Sequence, residues 1–202
     1  MILHRPPAPA LRPFVSMLWA TDAAPARGAR ELALPTGAMH IAIRLGDSPL
    51  RLFANADDRQ GETVGSRVLN GVRTSAYFKE AAAAPASVGA MLRAGTAELL
   101  SGVPAGELAG RHTRLEDLWP SLELVELTER LEATQSLVER LRLFEASLAR
   151  RLPALRGIDP LVAHALMQFQ CGATVGEVVA ESGFSHRHVT RTFAEAVGVP
   201  PQ

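Results

Sequence analysis

Alternating apolar and polar positions mark one clear strand in the first half of the chain. Residues 39–45 read MHIAIRL, in which every second position is apolar and His40, Ala42 and Arg44 lie between. A period of two places alternate side chains on opposite faces, so this segment predicts a half-buried β-strand. Weaker patterns predict further strands over residues 14–20, 51–55, 66–71 and 73–79.

Turn-forming segments such as PTG, NADDRQG and NG separate these predicted strands. Short strands at such spacing are typical of a sandwich or a small barrel, and the cupin barrel is one form of it. Residues 94–110 break the pattern with two short helical turns separated by Gly102 and Pro104. We therefore predict a β-rich domain over residues 1–118.

Leucines then recur at intervals of three, four and seven, which predicts helices with one apolar face. The stripe is formed by Leu124, Leu127, Leu131, Val138, Leu141, Leu148 and Leu152. Thr134 or Ser136 is suited to cap a second helix, so residues 119–152 are predicted to form two helices. They could pack on the β-rich domain, or they could link protomers in a homodimer.

Capping signals divide residues 158–202 into three short helices. Asp159 followed by Pro160 predicts one helix start, and Thr174 with Glu177 forms a capping box at the next. Ser185 predicts the third start and Gly198 its end. Residues 152–160, with Pro153 and Gly157, suggest a hinge before these helices. The predicted fold class is α+β.

A helix, a tight turn at Gly183 and a second helix form the arrangement used by DNA-binding helix-turn-helix units. We expect the small Ala180 to allow a close crossing and Phe184 to plug the junction. Val189, Phe193 and Val197 recur every four residues and should face inward. The outward positions then hold Arg187, Thr190 and Arg191, and arginine can pair bidentately with guanine in the major groove.

Residues 175–201 resemble the first helix-turn-helix of AraC/XylS-type transcription regulators. The similarity rests on Val179–Ala180, Gly183–Phe184–Ser185, Arg191, Phe193 and Gly198-Val-Pro-Pro. It implies base contacts by Arg187, Thr190 and Arg191, with Ser185 and His186 near the phosphates. More weakly, LRPFVSMLW, ELALPTGAMHIAIRLG and LEDLW resemble the regulatory domains that precede this unit, although Arg93–Ala94–Gly95 stands where Arg-Pro-Gly is frequent.

The family's DNA-binding unit contains two such helix-turn-helix subdomains, whereas this chain ends at Gln202 after the first. We therefore expect either a truncated form, which we favour, or a naturally short protein. Residues 158–202 carry two arginines against four carboxylates, a net charge of −2 with histidine neutral. Specific binding usually requires several phosphate neutralisations. Weak DNA binding by the isolated chain is the prediction, and nanomolar specific binding in a low-salt gel shift would contradict it.

Composition excludes some classes of protein but does not indicate a specific function. The 202 residues carry 21 basic and 21 acidic side chains, so global charge indicates neither a nucleic acid nor a membrane. Cys171 is the single cysteine, which excludes an internal disulfide framework. With no signal-peptide or transmembrane pattern, we expect a cytoplasmic protein without membrane partners.

An effector pocket in the β-rich domain is implied mainly by the resemblance. Side chains that combine apolar walls with polar handles are Met17, Trp19, His40, Arg44, Tyr77 and Phe78. Trp19 and Phe78 could instead be core residues.

We expect no catalytic residues, metal or cofactor. His40 lacks a second ligand on its strand, His112 is placed in a polar loop, and no serine lies in a nucleophile motif. The prediction is a DNA-binding regulator controlled by a small molecule or by dimerisation. The alternatives are a sensor or dimerisation module that does not bind DNA autonomously, and a cupin-type enzyme.

Overall fold

The computed structural model describes residues 1–23, 30–46, 48–80, 85–153 and 157–201, and within them the fold is α+β. Its strands are β1 Ile2–Arg5, β2 Val15–Thr21, β3 Arg30–Ala33, β4 His40–Arg44, β5 Leu50–Phe53, β6 Glu62–Gly65, β7 Arg67–Asn70, β8 Tyr77–Glu80, β9 Ser87–Leu92 and β10 His112–Arg114. Its α-helices are α1 Ala97–Ser101, α2 Ala105–Leu108, α3 Ser121–Glu132, α4 Leu137–Arg151, α5 Pro160–Gln170, α6 Val175–Ser182 and α7 His186–Val197. None of the described helices is both long and apolar enough to cross a membrane.

The strands form two antiparallel sheets. One has six strands in the order β1-β2-β9-β4-β7-β10, and the other has four in the order β3-β8-β5-β6. The prediction of an α+β fold with a β-rich N-terminal region is confirmed. The two sheets do not close into a barrel.

The strongest alternation gives a strand near the middle of the larger sheet. In β4, Ile41 and Ile43 are fully buried, while His40 and Arg44 are half-buried on the opposite face. Its neighbour β9 escaped the sequence analysis because its small residues weaken the alternation. Gly89 in β9 is required for space, since a Cβ there would lie 2.0 Å from Cζ2 of Trp19.

Helix α4 packs against β2 and β9 of the six-stranded sheet, and α3 packs against α4. Most of the predicted stripe is buried there, namely Leu124, Leu127, Leu131, Leu141 and Leu148. Val138 was wrongly assigned to the stripe and is 57% exposed. The buried face of α4 starts at Leu137, and a shift of one residue turns a helix by about 100°.

This large core joins residues on both sides of position 118, so the predicted leucine stripe meets the chain's own sheet. Ser136 caps α4 by accepting a hydrogen bond from the Glu139 amide at 3.3 Å. The division into domains and the pairing of protomers stay predictions. Residues 154–156 of the predicted hinge, and Gln202 of the last predicted domain, lie outside the described residues.

Helices α5, α6 and α7 enclose a separate apolar cluster of Ala165, Val178, Val189 and Phe193. Their starts follow the predicted caps. Asp159 Oδ1 accepts from the Leu161 amide at 2.8 Å, and Ser185 accepts from the His188 amide at 3.3 Å. The prediction that Phe184 fills the junction was wrong.

Phe184 is 52% exposed, and its ring lies 4.8 Å from that of His188. The interior is filled instead by an edge-to-face contact of Phe169 with Phe193, whose ring centroids are 5.4 Å apart. Once those two rings occupy the centre, a third aromatic side chain at the turn remains at the surface.

Candidate functional site

The first candidate site is the outer surface of α7. Val189 is completely buried and Phe193 nearly so, which fixes the rotation of the helix about its axis. The opposite side then carries the residues predicted to contact DNA: Ser185, His186, Arg187 and Arg191, all exposed, and Thr190, half-buried. The structure brings these five together within the first turns of one helix.

A capping box fixes the start of α6, and a glycine fixes the turn between α6 and α7. Gly183 has a φ of 71°, in the left-handed region that L side chains rarely adopt. Upstream, the Thr174 amide donates to Glu177 Oε2 at 2.7 Å, and the Glu177 amide donates to Thr174 Oγ1 at 3.3 Å. The bonds that Thr174 donates to the Glu177 carboxylate lower its pKa.

The two arginines on this surface make at most one weak ion pair with the described residues. Arg191 Nε lies 3.9 Å from Glu195 Oε1 one turn away, and both side chains are largely exposed. Arg187 makes no ion pair with any residue that the structure describes. Exposed pairs of this kind contribute little stability, so both guanidinium groups are available to another partner.

The far end of α7 rests on the β-rich region. A Cβ on Gly106 of α2 would lie 3.3 Å from both the Ala194 oxygen and the Glu195 Cα. At the C-cap, Gly198 has a φ of 94°, and a Cβ there would lie 2.6 Å from Val72 Cγ1 and 2.9 Å from Met39 Cε. The C-terminal half of α7 therefore packs against α2, Val72 and Met39, while the outer face of its first turns is exposed.

The second candidate site is a cavity beside three adjacent strands. Asn70 of β7 pairs in register with His40 of β4 on one side and with His112 of β10 on the other, so the three side chains form a row on one face. The cavity has a volume of about 40 Å³. It is lined by Leu34, Pro35, Thr36, Ala38, His40, Asn70, Gly71, Arg73, Tyr77 and His112.

Arg73 and Tyr77 hold His112 in place. Arg73 Nη2 donates to His112 Nδ1 at 3.0 Å, and the guanidinium carbon lies 4.7 Å from the centre of the Tyr77 ring. The rings of Tyr77 and His112 meet edge to face at 5.0 Å. A second, larger cavity of about 370 Å³ shares Arg73 and Tyr77 as wall residues, and Asp58 and Glu62 also line it.

The imidazoles of the cavity are neutral at neutral pH. Burial, with the nearby Arg73 and His40, lowers the pKa of His112 to about 4. Burial also lowers the pKa of His40, and it raises the pKa of Tyr77. Arg73 is consequently the one ionised side chain among the ten lining residues.

Of the six residues predicted to line a pocket, His40 and Tyr77 line this cavity. Trp19 lies beside it, with its ring centre 5.9 Å from that of His40. Met17 Sδ lies 3.3 Å from His4 Nδ1, and Arg44 donates to the Ser48 oxygen at 2.9 Å. Phe78 pairs with Leu32 and Phe53 within the smaller sheet.

Among the lining residues that the sequence did not predict, Asn70, Arg73 and His112 determine the chemistry of the cavity. His112 was wrongly placed in a polar loop, because a three-residue edge strand carries too little pattern to be recognised. Asn70–Gly71 was read as a turn signal, although Asn70 ends β7. Within the described residues, no group of three or more His, Cys, Asp or Glu side chains is placed to hold a metal ion.

A family model described as a domain of unknown function, DUF6597, matches residues 3–114. The chain belongs to this family. DUF6597 falls in an AraC-associated group of domains, and its match covers the β-rich region with the His40–Asn70–His112 row. No curated protein matches the chain.

Among solved structures, the chain is similar to native PhpD with cadmium atoms at 10% identity and to PhpD with cadmium and hydroethylphosphonate at 14% identity. Both comparisons have a TM-score of 0.27 and cover 98% of this chain. The chain spans about half, 51%, of the length of those proteins. A similarity of this size carries no argument about fold or activity.

Proposed function

We propose that this protein is a sequence-specific DNA-binding transcription regulator of the AraC type, acting in the cytoplasm. In this proposal α6, the turn at Gly183 and α7 form a helix-turn-helix, and α7 enters the major groove. Arg187, Thr190 and Arg191 contact bases, and Ser185 and His186 lie near phosphates. The observation that carries the proposal is the free, cationic N-terminal half of α7 above a buried Val189 and Phe193.

The geometry suits a helix that reads bases. A recognition helix presents its N-terminal residues to the groove while the preceding helix crosses the backbone. In α7 the two arginines stand one turn apart, and neither is committed to a buried ion pair. Membership of a family in the AraC-associated group also supports the proposal.

The packing of the C-terminal end of α7 against the β-rich region supports control of α7 by that region. Gly198 packs against Met39 and Val72, which neighbour the cavity residues His40, Gly71 and Arg73 in the chain. A small molecule bound in the cavity would contact the same strand ends that support α7. Binding would then favour one placement of α7 over another, as a shift between existing conformations.

A sensor module that does not bind DNA by itself is the second candidate. The charge of residues 158–202 favours it, since two arginines stand against four carboxylates. Non-specific DNA affinity comes largely from phosphate neutralisation, and this surface offers few cations. The two candidates differ in whether the chain selects a sequence, not only in how tightly it binds.

Selection from a pool of random DNA duplexes at low salt separates these candidates. The 202-residue chain should enrich a short common sequence, and its affinity for that duplex should fall as salt is raised. A variant with Arg187, Thr190 and Arg191 all replaced by Ala should enrich nothing. The matched control replaces Arg130, an exposed arginine of α3, by Ala and should enrich the same sequence as the wild type.

Recovery of no common sequence by the wild-type chain would reject the regulator proposal for this chain and favour the sensor module. Equal enrichment by wild type and triple variant would reject the assignment of α7 as the reading helix. Circular dichroism of each variant verifies that the helices remain folded.

A further inference from the structure

Three polar atoms of the small cavity have no hydrogen-bond partner within the described part of the chain. They are Arg73 Nε, His112 Nε2 and Asn70 Oδ1, each with almost no solvent contact. Buried polar groups are almost always paired, because an unpaired one loses its bonds to water and gains nothing. All three residues line the same space, so one bound group could satisfy them together.

The hydrogen bond from Arg73 determines what His112 offers. A guanidinium group can only donate, so His112 Nδ1 accepts and the ring proton of the neutral imidazole lies on Nε2. Arg73 Nε also carries a proton. The cavity therefore presents two unused N–H donors, and the Asn70 amide can add an NH2 group by rotating its two ends.

The charge of the cavity wall determines which ligand charge the cavity favours. Arg73 is its one ionised wall residue, and no carboxylate lines it. Arg73 makes no ion pair with a described residue; its neighbours there are the neutral His112 and the face of Tyr77. A partly buried guanidinium group with a shielded, unused Nε donor favours an oxyanion, since charge-assisted hydrogen bonds are the stronger kind.

We propose that this cavity binds the carboxylate group of a small organic acid, held by Arg73 and His112 with Asn70 beside them. The assignment gives a ligand class to the sensor role of the β-rich region, and it rests on that part of the proposed function. The volume of about 40 Å³ supports a small head group. One water needs roughly 10–15 Å³ on this measure, so the space suits a group of a few atoms.

Acetate is the probe, with acetamide as its neutral counterpart of similar shape. The 15N-labelled chain is titrated with sodium acetate at constant ionic strength, and the arginine Nε–H signals are followed by NMR. We expect the Arg73 signal to shift saturably with a millimolar dissociation constant, and acetamide to bind at least tenfold more weakly. The backbone amides of Gly71 and His112 should report the same binding curve.

Two variants localise the site. Arg73→Gln removes the charge and the Nε donor, and His112→Phe removes the Nε2 donor while keeping a ring against Tyr77. Each should weaken acetate binding at least tenfold, as followed at Gly71. Arg130→Gln makes the same exchange at an exposed arginine of α3 and should bind acetate as the wild type does.

The proposal is overturned if the wild-type chain shows no saturable response to acetate, in which case the cavity holds water alone. It is equally overturned if acetate and acetamide bind alike, or if both cavity variants retain full affinity. If one variant fails to fold, the other and the wild-type comparison of the two probes still decide. No DNA is present, so failure here leaves the role of α7 untouched, and failure of DNA selection leaves this test valid.

Discussion

The two candidate sites are built in opposite ways. The α7 surface comes from one continuous segment, residues 183–198, in which glycine, capping serine and apolar spacing each act on near neighbours. The cavity collects His40, Asn70 and His112 from three separate parts of the chain that meet through strand register, and Arg73 follows Asn70 closely in the chain. A short-range site can be found by pattern, whereas a long-range site needs the fold.

The same difference predicts how each site fails. Damage to the cavity region should disturb the large core and α7 together, because both depend on the ends of β4 and β7. Removal of the exposed arginine side chains of α7 should leave stability nearly unchanged. Substitutions and pH changes test this contrast. Their expected effects on the free energy of unfolding range from several kcal/mol to a few tenths of a kcal/mol.

Gly71→Ala should be the most damaging single change. A Cβ at this position would lie 1.7 Å from the Leu108 oxygen, so the segment before β10 would have to move away from β7. We expect a loss of about 4 kcal/mol or more in the free energy of unfolding, measured by urea denaturation.

Gly176→Ala is the matched control for that change. Gly176 lies in α6, where a Cβ would meet nothing closer than 3.9 Å. Alanine there should stabilise the chain by about 0.5–1 kcal/mol, because it restricts the unfolded chain more than glycine does. Equal stability of Gly71→Ala and wild type would show that the cavity wall is not tightly packed.

Acid should destabilise the chain partly through His112. Its pKa is about 4 in the folded chain, against 6.5 for an unperturbed histidine, so the unfolded chain binds more protons between those limits. Stability from this residue is complete above about pH 6.5 and is lost as the pH falls to about 4, by on the order of 3 kcal/mol.

Urea denaturation at pH 7 and pH 4.5 measures this loss in the wild type and in His112→Phe. Carboxylates elsewhere titrate in both proteins, so the difference between the two isolates His112. A pH dependence that is identical in the two proteins would contradict the buried, neutral imidazole.

Gly198→Ala tests the packing of the C-terminal end of α7 against Val72 and Met39. The φ of 94° disfavours any L side chain, and Val72 and Met39 would have to shift. We expect destabilisation of about 2 kcal/mol, combining backbone strain with overpacking. Backbone NMR should show shifts in both α7 and the ends of β4 and β7. Shifts confined to α7 would argue against a connection between the two sites.

Ser185→Ala and Arg187→Ala should have the smallest destabilising effects among these changes. Ser185→Ala removes the acceptor of the His188 amide and should cost about 1 kcal/mol, as loss of a helix N-cap usually does. Arg187→Ala, two residues later on the exposed face, should change stability by less than about 0.5 kcal/mol. Thermal denaturation of the pair measures both. A larger loss for Arg187→Ala would assign that side chain to structure rather than to binding.

Much of the C-terminal half could be predicted from sequence because its determinants are local. The caps at Asp159, Thr174 and Ser185 act within three residues, and the starts of α5, α6 and α7 follow them. The exception, Phe184, depended on which aromatic side chains occupy the interior. That competition is tertiary, and neither the caps nor the spacing decides it.

The cavity could be predicted only in part for the same physical reason. His40 was recognisable from the strong alternation of β4, but its partners lie on strands with weak patterns of their own. Register, set by the pairing of β7 with both β4 and β10, places Asn70 between the two histidines. Shifting a strand by one residue would turn Asn70 to the other face, so residue types alone could not define the site.

The most direct test of the regulator proposal measures base reading by Arg191. Wild type and Arg191→Ala are each titrated with the selected duplex and with every single-base change in it, at one fixed salt concentration. We predict that Arg191→Ala loses about 1–3 kcal/mol on the selected duplex and no longer discriminates at one base pair. Unchanged affinity and unchanged discrimination at every position would contradict the assignment of α7 as the helix that reads DNA.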